Sequence, residues 1–240
     1  MILGKQQFTK RAHFIGTILK KHHAHDVLEL GCGTGLYLRP LKKAGFRIEG
    51  LDISQQMLKQ AKDLGVPLYK QDMSTFSLDK KYDAILCLNS SLVLLPNMRA
   101  IAQTVVRCKK HLRDGGLLII DLPHHEKEIP ENDGTVEIIR RKTSRGLLTV
   151  KEQMFREKNR WVEIWNGTIG KKKFTERFSE LIYSPAAVER ILNKNFDITR
   201  IYGSRTGGPF TKNSYRRVYV CTMRKESMKG KRTVKIKSSR

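Results

Sequence analysis

At 240 residues, with 39% hydrophobic and 29% charged side chains, the chain has the composition of one folded domain with room for an insertion, not of a disordered polymer. No stretch approaches the ~20 uninterrupted apolar residues of a bilayer-spanning helix, and the N-terminus lacks the apolar core and small-residue cleavage site of a secretory leader. The formal net charge of +24 sets up a field that attracts nucleic acid, anionic lipid or an acidic partner without choosing among them.

In chain order, Phe8, Ala12, Ile15, Ile18 and Leu19 recur at helical steps and predict an amphipathic helix to Lys21. Asp26 to Leu30 reads as a buried strand that runs into the glycine loop Gly31-Cys32-Gly33-Thr34-Gly35. A helix over Leu36–Ala44, a strand over Arg47–Leu51, a helix over Ser54–Leu64 and strands over Pro67–Lys70 and Tyr82–Leu88 follow. Asn97–Leu112 reads as helix, stopped by Asp114-Gly115-Gly116, and Leu117–Leu122 as a buried strand. Strands alternating with helices predict a Rossmann-like α/β fold, a parallel sheet with helices on both faces.

After Leu122 the pattern changes. Val136–Arg141, Gly146–Phe155, Arg160–Ile169 and Lys173–Tyr183 read as three or four antiparallel strands, with Asn159, Gly167 and Gly170 marking turns. A helix opens at Ser184-Pro185, and strands at Phe196–Tyr202 and Tyr215–Cys221 complete a sheet of seven, separated by a loop from Gly203 to Asn213. The expected organisation is a core of residues 1–132 and 184–224, a β insertion at 133–183 covering an acceptor site, and a disordered basic tail at 225–240. From Met223 onward the tail region holds eight basic residues against the single acid Glu226. Four cysteines, at 32, 87, 108 and 221, have neither CxxC spacing nor a disulfide pattern, which points to no metal site and a reducing, cytoplasmic setting.

The chemistry concentrates at Glu29-Leu30-Gly31-Cys32-Gly33-Thr34-Gly35 between a strand and a helix. Glycines there let the chain turn sharply and let a ligand lie against bare backbone. The second strand ends in Gly50-Leu51-Asp52, placing an acid 17 residues past the last glycine, where it can accept from both hydroxyls of a ribose. NAD(P) and S-adenosylmethionine both carry such a ribose. The GxGxG spacing differs from the GxGxxG of pyrophosphate sites, and the Glu29 carboxylate would repel a pyrophosphate but suit an ammonium group.

On ELGCGTG (29–35), GLD (50–52), QDM (71–73), YDAILCLNSS (82–91) and LRDGG (112–116), the chain resembles the class I S-adenosylmethionine-dependent methyltransferases from about Asp26 to Lys225. The resemblance implies that Gly31, Gly33 and Gly35 lie under the cofactor and that Glu29 supports its amino end. It implies further that Asp52 binds the ribose, Ile53 packs on adenine, Asp72 bonds the adenine amino group and Met73 covers the ring. Leu88 and Asn89 would hold the methionine portion.

In this fold the acceptor sits past strands four and five, so Asn89, Ser90, Ser91, His124, His125 and Glu126 are candidates, with His124 or His125 as general base. The β insertion looks like that of small-molecule members, including glycine/sarcosine and sugar N-methyltransferases. The expected activity is therefore methyl transfer to N or O of a small metabolite. An RNA methyltransferase using the basic surface and tail is the alternative, and a non-catalytic S-adenosylmethionine-binding protein the third reading. Against RNA, twelve Lys/Arg and six Asp/Glu are interleaved from Val136 to Tyr183, which predicts no clean basic stripe.

Overall fold

A computed structural model describes residues 5–124, 134–143 and 146–224; His125 and the tail 225–240 lie outside the described residues. The core elements are α1 (Lys5–Lys21), β1 (Asp26–Leu30), α2 (Leu38–Lys43), β2 (Arg47–Asp52), α3 (Gln55–Ala61), β3 (Leu68–Lys70), β4 (Tyr82–Cys87), α4 (Met98–His111) and β5 (Leu112–Pro123). An insertion follows, with β6 (Thr135–Thr143), β7 (Gly146–Glu157), β8 (Arg160–Ile169) and β9 (Lys172–Leu181). The core closes with α5 (Pro185–Leu192), β10 (Phe196–Tyr202) and β11 (Arg216–Met223).

The seven core strands lie in the order β10-β11-β5-β4-β1-β2-β3; β1 through β5 pair in parallel, and β11 runs antiparallel to β5 and β10. Two apolar layers sandwich the sheet. One packs Ile101, Val105 and Cys108 of α4 and Val188 and Leu192 of α5 against it. The other packs Ile15 and Leu19 of α1, Leu38 and Leu41 of α2, and Leu58 of α3. Alternate residues of β1 feed opposite layers, Val27 one and Leu28 the other, so its DVLEL run is buried on both sides.

Two boundaries differ from the sequence pattern. β5 begins at Leu112 and carries Asp114-Gly115-Gly116 inside the strand; its pairing with β4 is irregular between Tyr82 and Ala84. Gly167 is not a turn but a mid-strand residue of β8. It pairs with Phe174, whose ring lies where a Cβ on Gly167 would sit, at 2.6 Å, so the glycine makes room for an aromatic neighbour.

The insertion forms its own antiparallel sheet, β6-β7-β8-β9, with unbroken register. It is seated beside the end of β4: Arg160 Nη1 donates to the carbonyls of Leu95 and Pro96 at 3.1 and 3.2 Å, and the Tyr183 hydroxyl donates to the Pro123 carbonyl. Cross-strand partners share a face, so the register sorts the charges that the sequence interleaves. Glu137, Glu152, Glu163, Glu176 and Glu180 fall on one face with Trp161, Trp165, Phe174 and Phe178. Arg140, Lys142, Lys151, Arg160, Lys173 and Arg177 fall on the other. The acidic face also carries Arg141, Arg156 and Lys172 and the basic face Glu157, so period-two alternation gathers six cations against one acid on one face of the described strands, a bias that the expectation of no basic stripe did not foresee.

Candidate active site

The loop after β1 is wedged between the ends of β2 and β4. Gly31 adopts φ +66°, and a Cβ there would meet Ser91 Cβ at 2.7 Å, so only glycine permits this approach. We expect Gly31→Ala to lose about 2–4 kcal/mol of stability from left-handed strain plus overpacking, read as a lowered thermal midpoint. Gly33, at φ +54°, has the opposite surroundings: a Cβ would meet nothing within 4 Å, so its backbone borders open space.

Asp52 at the end of β2 fastens this loop. Its Oδ2 accepts from the Gly33 amide at 2.7 Å and its Oδ1 from the Ser54 amide at 2.8 Å. The next residue, Ile53, is 66% exposed, an unusual position for a large aliphatic side chain at the rim of a cleft. Asp72 Oδ1 accepts from the amide and hydroxyl of Ser74, both at 2.7 Å, which shapes the turn that carries Met73. The Met73 methyl would lie 3.3 Å from a Cβ on Gly31, so loop and turn adjoin.

Two buried polar atoms at this site have no hydrogen-bond partner among the described residues. Glu29 is 3% exposed and its Oε2 accepts no hydrogen bond; burial, then the Asp52 charge, pushes its carboxyl well above the usual carboxylate range. Arg11 of α1 has an unpartnered, buried Nη1, and burial followed by the neighbouring Arg205 charge lowers its pKa. Tyr37, buried at the start of α2, interacts with both: it hydrogen-bonds Arg11, and its hydroxyl is raised to about 12 by burial and by Asp121. An unpaired carboxyl and an unpaired guanidinium nitrogen thus flank one tyrosine.

At the end of β5, buried Asp121 receives Arg205 Nε at 2.6 Å and Arg216 Nη2 at 2.8 Å. It also accepts from the Asn89 amide (Oδ2, 3.0 Å) and, through its carbonyl, from the Ser90 amide at 3.2 Å. Although burial alone would raise its pKa, the Arg216 and Arg205 guanidiniums, by charge and by hydrogen bond, hold it below the ordinary value. Asn89 and Ser90 sit consecutively at positive φ, 54° and 64°, a strained pair that this network secures. Leu88 is buried beneath them.

His124 is 4% exposed; its Nδ1 donates to the Ser214 carbonyl at 2.7 Å and its amide donates to the Tyr215 carbonyl at 2.8 Å. The ring therefore pins the 203–215 loop to the end of β5, with Nε2 3.5 Å from Arg217 Nη2. The structure brings together Glu29, Gly31, Gly33, Asp52, Met73 and the Leu88–Asn89 turn, while Gly35 serves packing, since a Cβ there would strike Leu64 at 2.3 Å. Sequence reasoning passed over Arg11, Tyr37, Arg205 and Arg216. Arg11 lies on the polar edge of a predicted helix and the others in segments without a motif, so no signal marked them.

Residues 27–116 match the family described as "Methyltransferase domain". A dTDP-3-amino-3,6-dideoxy-alpha-D-glucopyranose N,N-dimethyltransferase of Streptomyces fradiae is 27% identical over 120 residues, covering 48% of this chain and 47% of that protein. A glycine N-methyltransferase of Rattus norvegicus is 30% identical over 123 residues, 43% and 42% of the two chains. The matched segment thus spans less than half the length of these curated relatives. An S-adenosylmethionine-dependent methyltransferase from Clostridium acetobutylicum superposes with a TM-score of 0.80 at 20% identity, covering 90% and 92% of the chains. An amino pentose methyltransferase from Micromonospora echinaspora, solved with S-adenosylmethionine bound, gives 0.74 at 22% identity with the same coverage.

Residues 27–116 match a methyltransferase domain, and the fold is that of S-adenosylmethionine-dependent methyltransferases. The cofactor of this class ends in an amino acid, and the residues present fit it. Glu29 Oε2 and Arg11 Nη1, each without a hydrogen-bond partner among the described residues, offer an acid to an ammonium and a cation to a carboxylate, and the open space beside Gly33 admits a ligand against backbone.

Proposed function

We propose that the chain is an enzyme that transfers a methyl group from S-adenosylmethionine to an amine nitrogen of a small metabolite. The observation that carries the cofactor half of this reading is the pair of buried atoms without a hydrogen-bond partner among the described residues, Glu29 Oε2 on an acid and Arg11 Nη1 on a base, beside Tyr37. When bound, the cofactor supplies an electrophilic sulfonium methyl. Glu29 pairs with its ammonium, Arg11 takes its carboxylate, and Asp52 accepts from the ribose hydroxyls. Ile53 and Met73 cover the adenine on either side, Asp72 accepts from its exocyclic amine, and the Leu88–Asn89 backbone borders the methionine portion.

The names of the relatives, one acting on an amino sugar and one on glycine, support nitrogen as the acceptor atom. An amine must be neutral to attack, and the rate then comes mainly from holding it in line in a site cleared of water. His124 Nδ1 keeps its proton on Ser214, and its Nε2 faces the Arg217 guanidinium at 3.5 Å. The geometry therefore favours a positioning role for His124 beneath the 203–215 loop over proton abstraction.

Calorimetric titration with S-adenosylmethionine and S-adenosylhomocysteine tests the first half; micromolar binding of both is expected, and binding of neither sinks the reading. Asp52→Ala should weaken S-adenosylhomocysteine by ~1–3 kcal/mol through lost ribose hydrogen bonds; unchanged affinity in that variant would displace the ribose from Asp52. Radiolabelled methyl transfer to a panel of amino sugars, amino acids and total RNA tests the acceptor. Incorporation confined to RNA would overturn the small-molecule assignment.

A further inference from the structure

The basic face of the insertion sheet carries charges that the cofactor site does not use. Its outer part presents exposed Arg140, Lys142, Lys151 and Lys173. The acid of matching alternation, Glu157, lies at the far end of β7 and is ion-paired with Arg177 at 2.6 Å. Between the cations, the face presents Thr149, Asn166, Thr168 and Thr175 around a concavity of about 590 Å³. With no acid among them in the described residues, these exposed cations sum to a local positive potential that an anion would lower.

We propose that this face binds the phosphate backbone of single-stranded nucleic acid. Lysine, arginine, threonine and asparagine are the side chains that contact phosphate oxygens, the first two by charge and the others by neutral hydrogen bonds. Successive same-face residues stand roughly 6.7 Å apart along a strand and neighbouring strands about 4.8 Å apart, a grid on which several phosphates can be met at once. Phe174 lines the concavity beside Gly167, but the register assigns its side chain to the opposite face, so among the described residues the side chains projecting on this face here are cationic, hydroxylic, amide or aliphatic. Bases therefore find no stacking platform, and binding is indifferent to sequence. A second copy of the chain meeting face to face would set the same cations against each other.

The test is fluorescence anisotropy of the full chain with an end-labelled oligouridylate of about 20 nucleotides across a salt series. Comparison is with Arg140→Ala/Lys151→Ala/Lys173→Ala and with a charge-matched control on the other face, Arg141→Ala/Arg156→Ala/Lys172→Ala. The first triple should bind at least tenfold more weakly, with the slope of log affinity against log salt reduced by about 2, at roughly 0.7 for each phosphate no longer neutralised; the control should stay near wild type. Equal losses in both triples would assign binding to diffuse net charge and overturn the proposal. So would unchanged RNA affinity in the first triple, whether accompanied by lost sedimentation with phosphatidylserine vesicles or by a change in oligomeric state. All three substituted cations are exposed, so the thermal midpoint should not move.

Discussion

Replacing Asp121 with alanine should destabilise the protein by about 3–5 kcal/mol, the largest effect expected of any single polar substitution here. Removing one member of a buried ion cluster leaves the others uncompensated. Arg205 and Arg216, 19% and 12% exposed at their side chains, would both lose the carboxylate they share. The amide of Asn89 would lose its acceptor too, and with it the support for two consecutive left-handed residues. Denaturant melts measure the stability loss, and S-adenosylhomocysteine affinity should fall with it because the β4 turn borders the site. The pH dependence has a definite sign. A carboxyl whose folded pKa is depressed contributes stability above its unfolded value of 3.8 and loses it as the pH falls through the folded one. The wild-type advantage over Asp121→Ala should therefore be full near neutrality and shrink only in strong acid.

Glu29→Gln should move stability and binding in opposite directions. A buried carboxyl without a partner for Oε2 is a burden on the ligand-free fold, and glutamine keeps the shape without the charge. Because the folded pKa of Glu29 is raised above 4.5, the wild type is most favoured below that value and loses stability as the pH rises towards the folded one. The variant's thermal midpoint should accordingly exceed that of the wild type by a margin that widens with pH. Cofactor affinity should drop by about 1.5–3 kcal/mol, roughly ten- to a hundredfold, for loss of a charge-assisted hydrogen bond to an ammonium group. Calorimetry in buffers of differing ionisation enthalpy should show a proton released on binding to the wild type and none to the variant. A variant that binds as tightly as the wild type would place the ammonium elsewhere.

Much of the site was legible because the cofactor region is built from local grammar. Gly31, Gly33 and Asp52 are recognisable by spacing, since a sharp turn after one strand and an acid at the end of the next leave few other residue types possible. Each insertion strand was likewise legible from its alternation, although Gly167, read as a turn, lies inside β8. What escaped were partners that meet only after folding. Arg11 and Tyr37 are 26 residues apart and Arg205 stands 84 residues from Asp121, and nothing in either neighbourhood names the other. His124 read as a base because of its place after β5; its burial under Ser214, 90 residues on, could not be foreseen.

Order along the chain was enough to set the succession of strands and helices, the glycine turn and the acid that ends β2, because each depends on neighbours within a few residues. Which charges are paired was left to the packing of distant segments. Whether Lys151 stands among acids or among cations depends on the register of β6 to β9, and a one-residue slip would reverse the answer. Whether Glu29 and Arg11 have partners depends on what the closed core admits around them, since burial removes the water that would otherwise satisfy both.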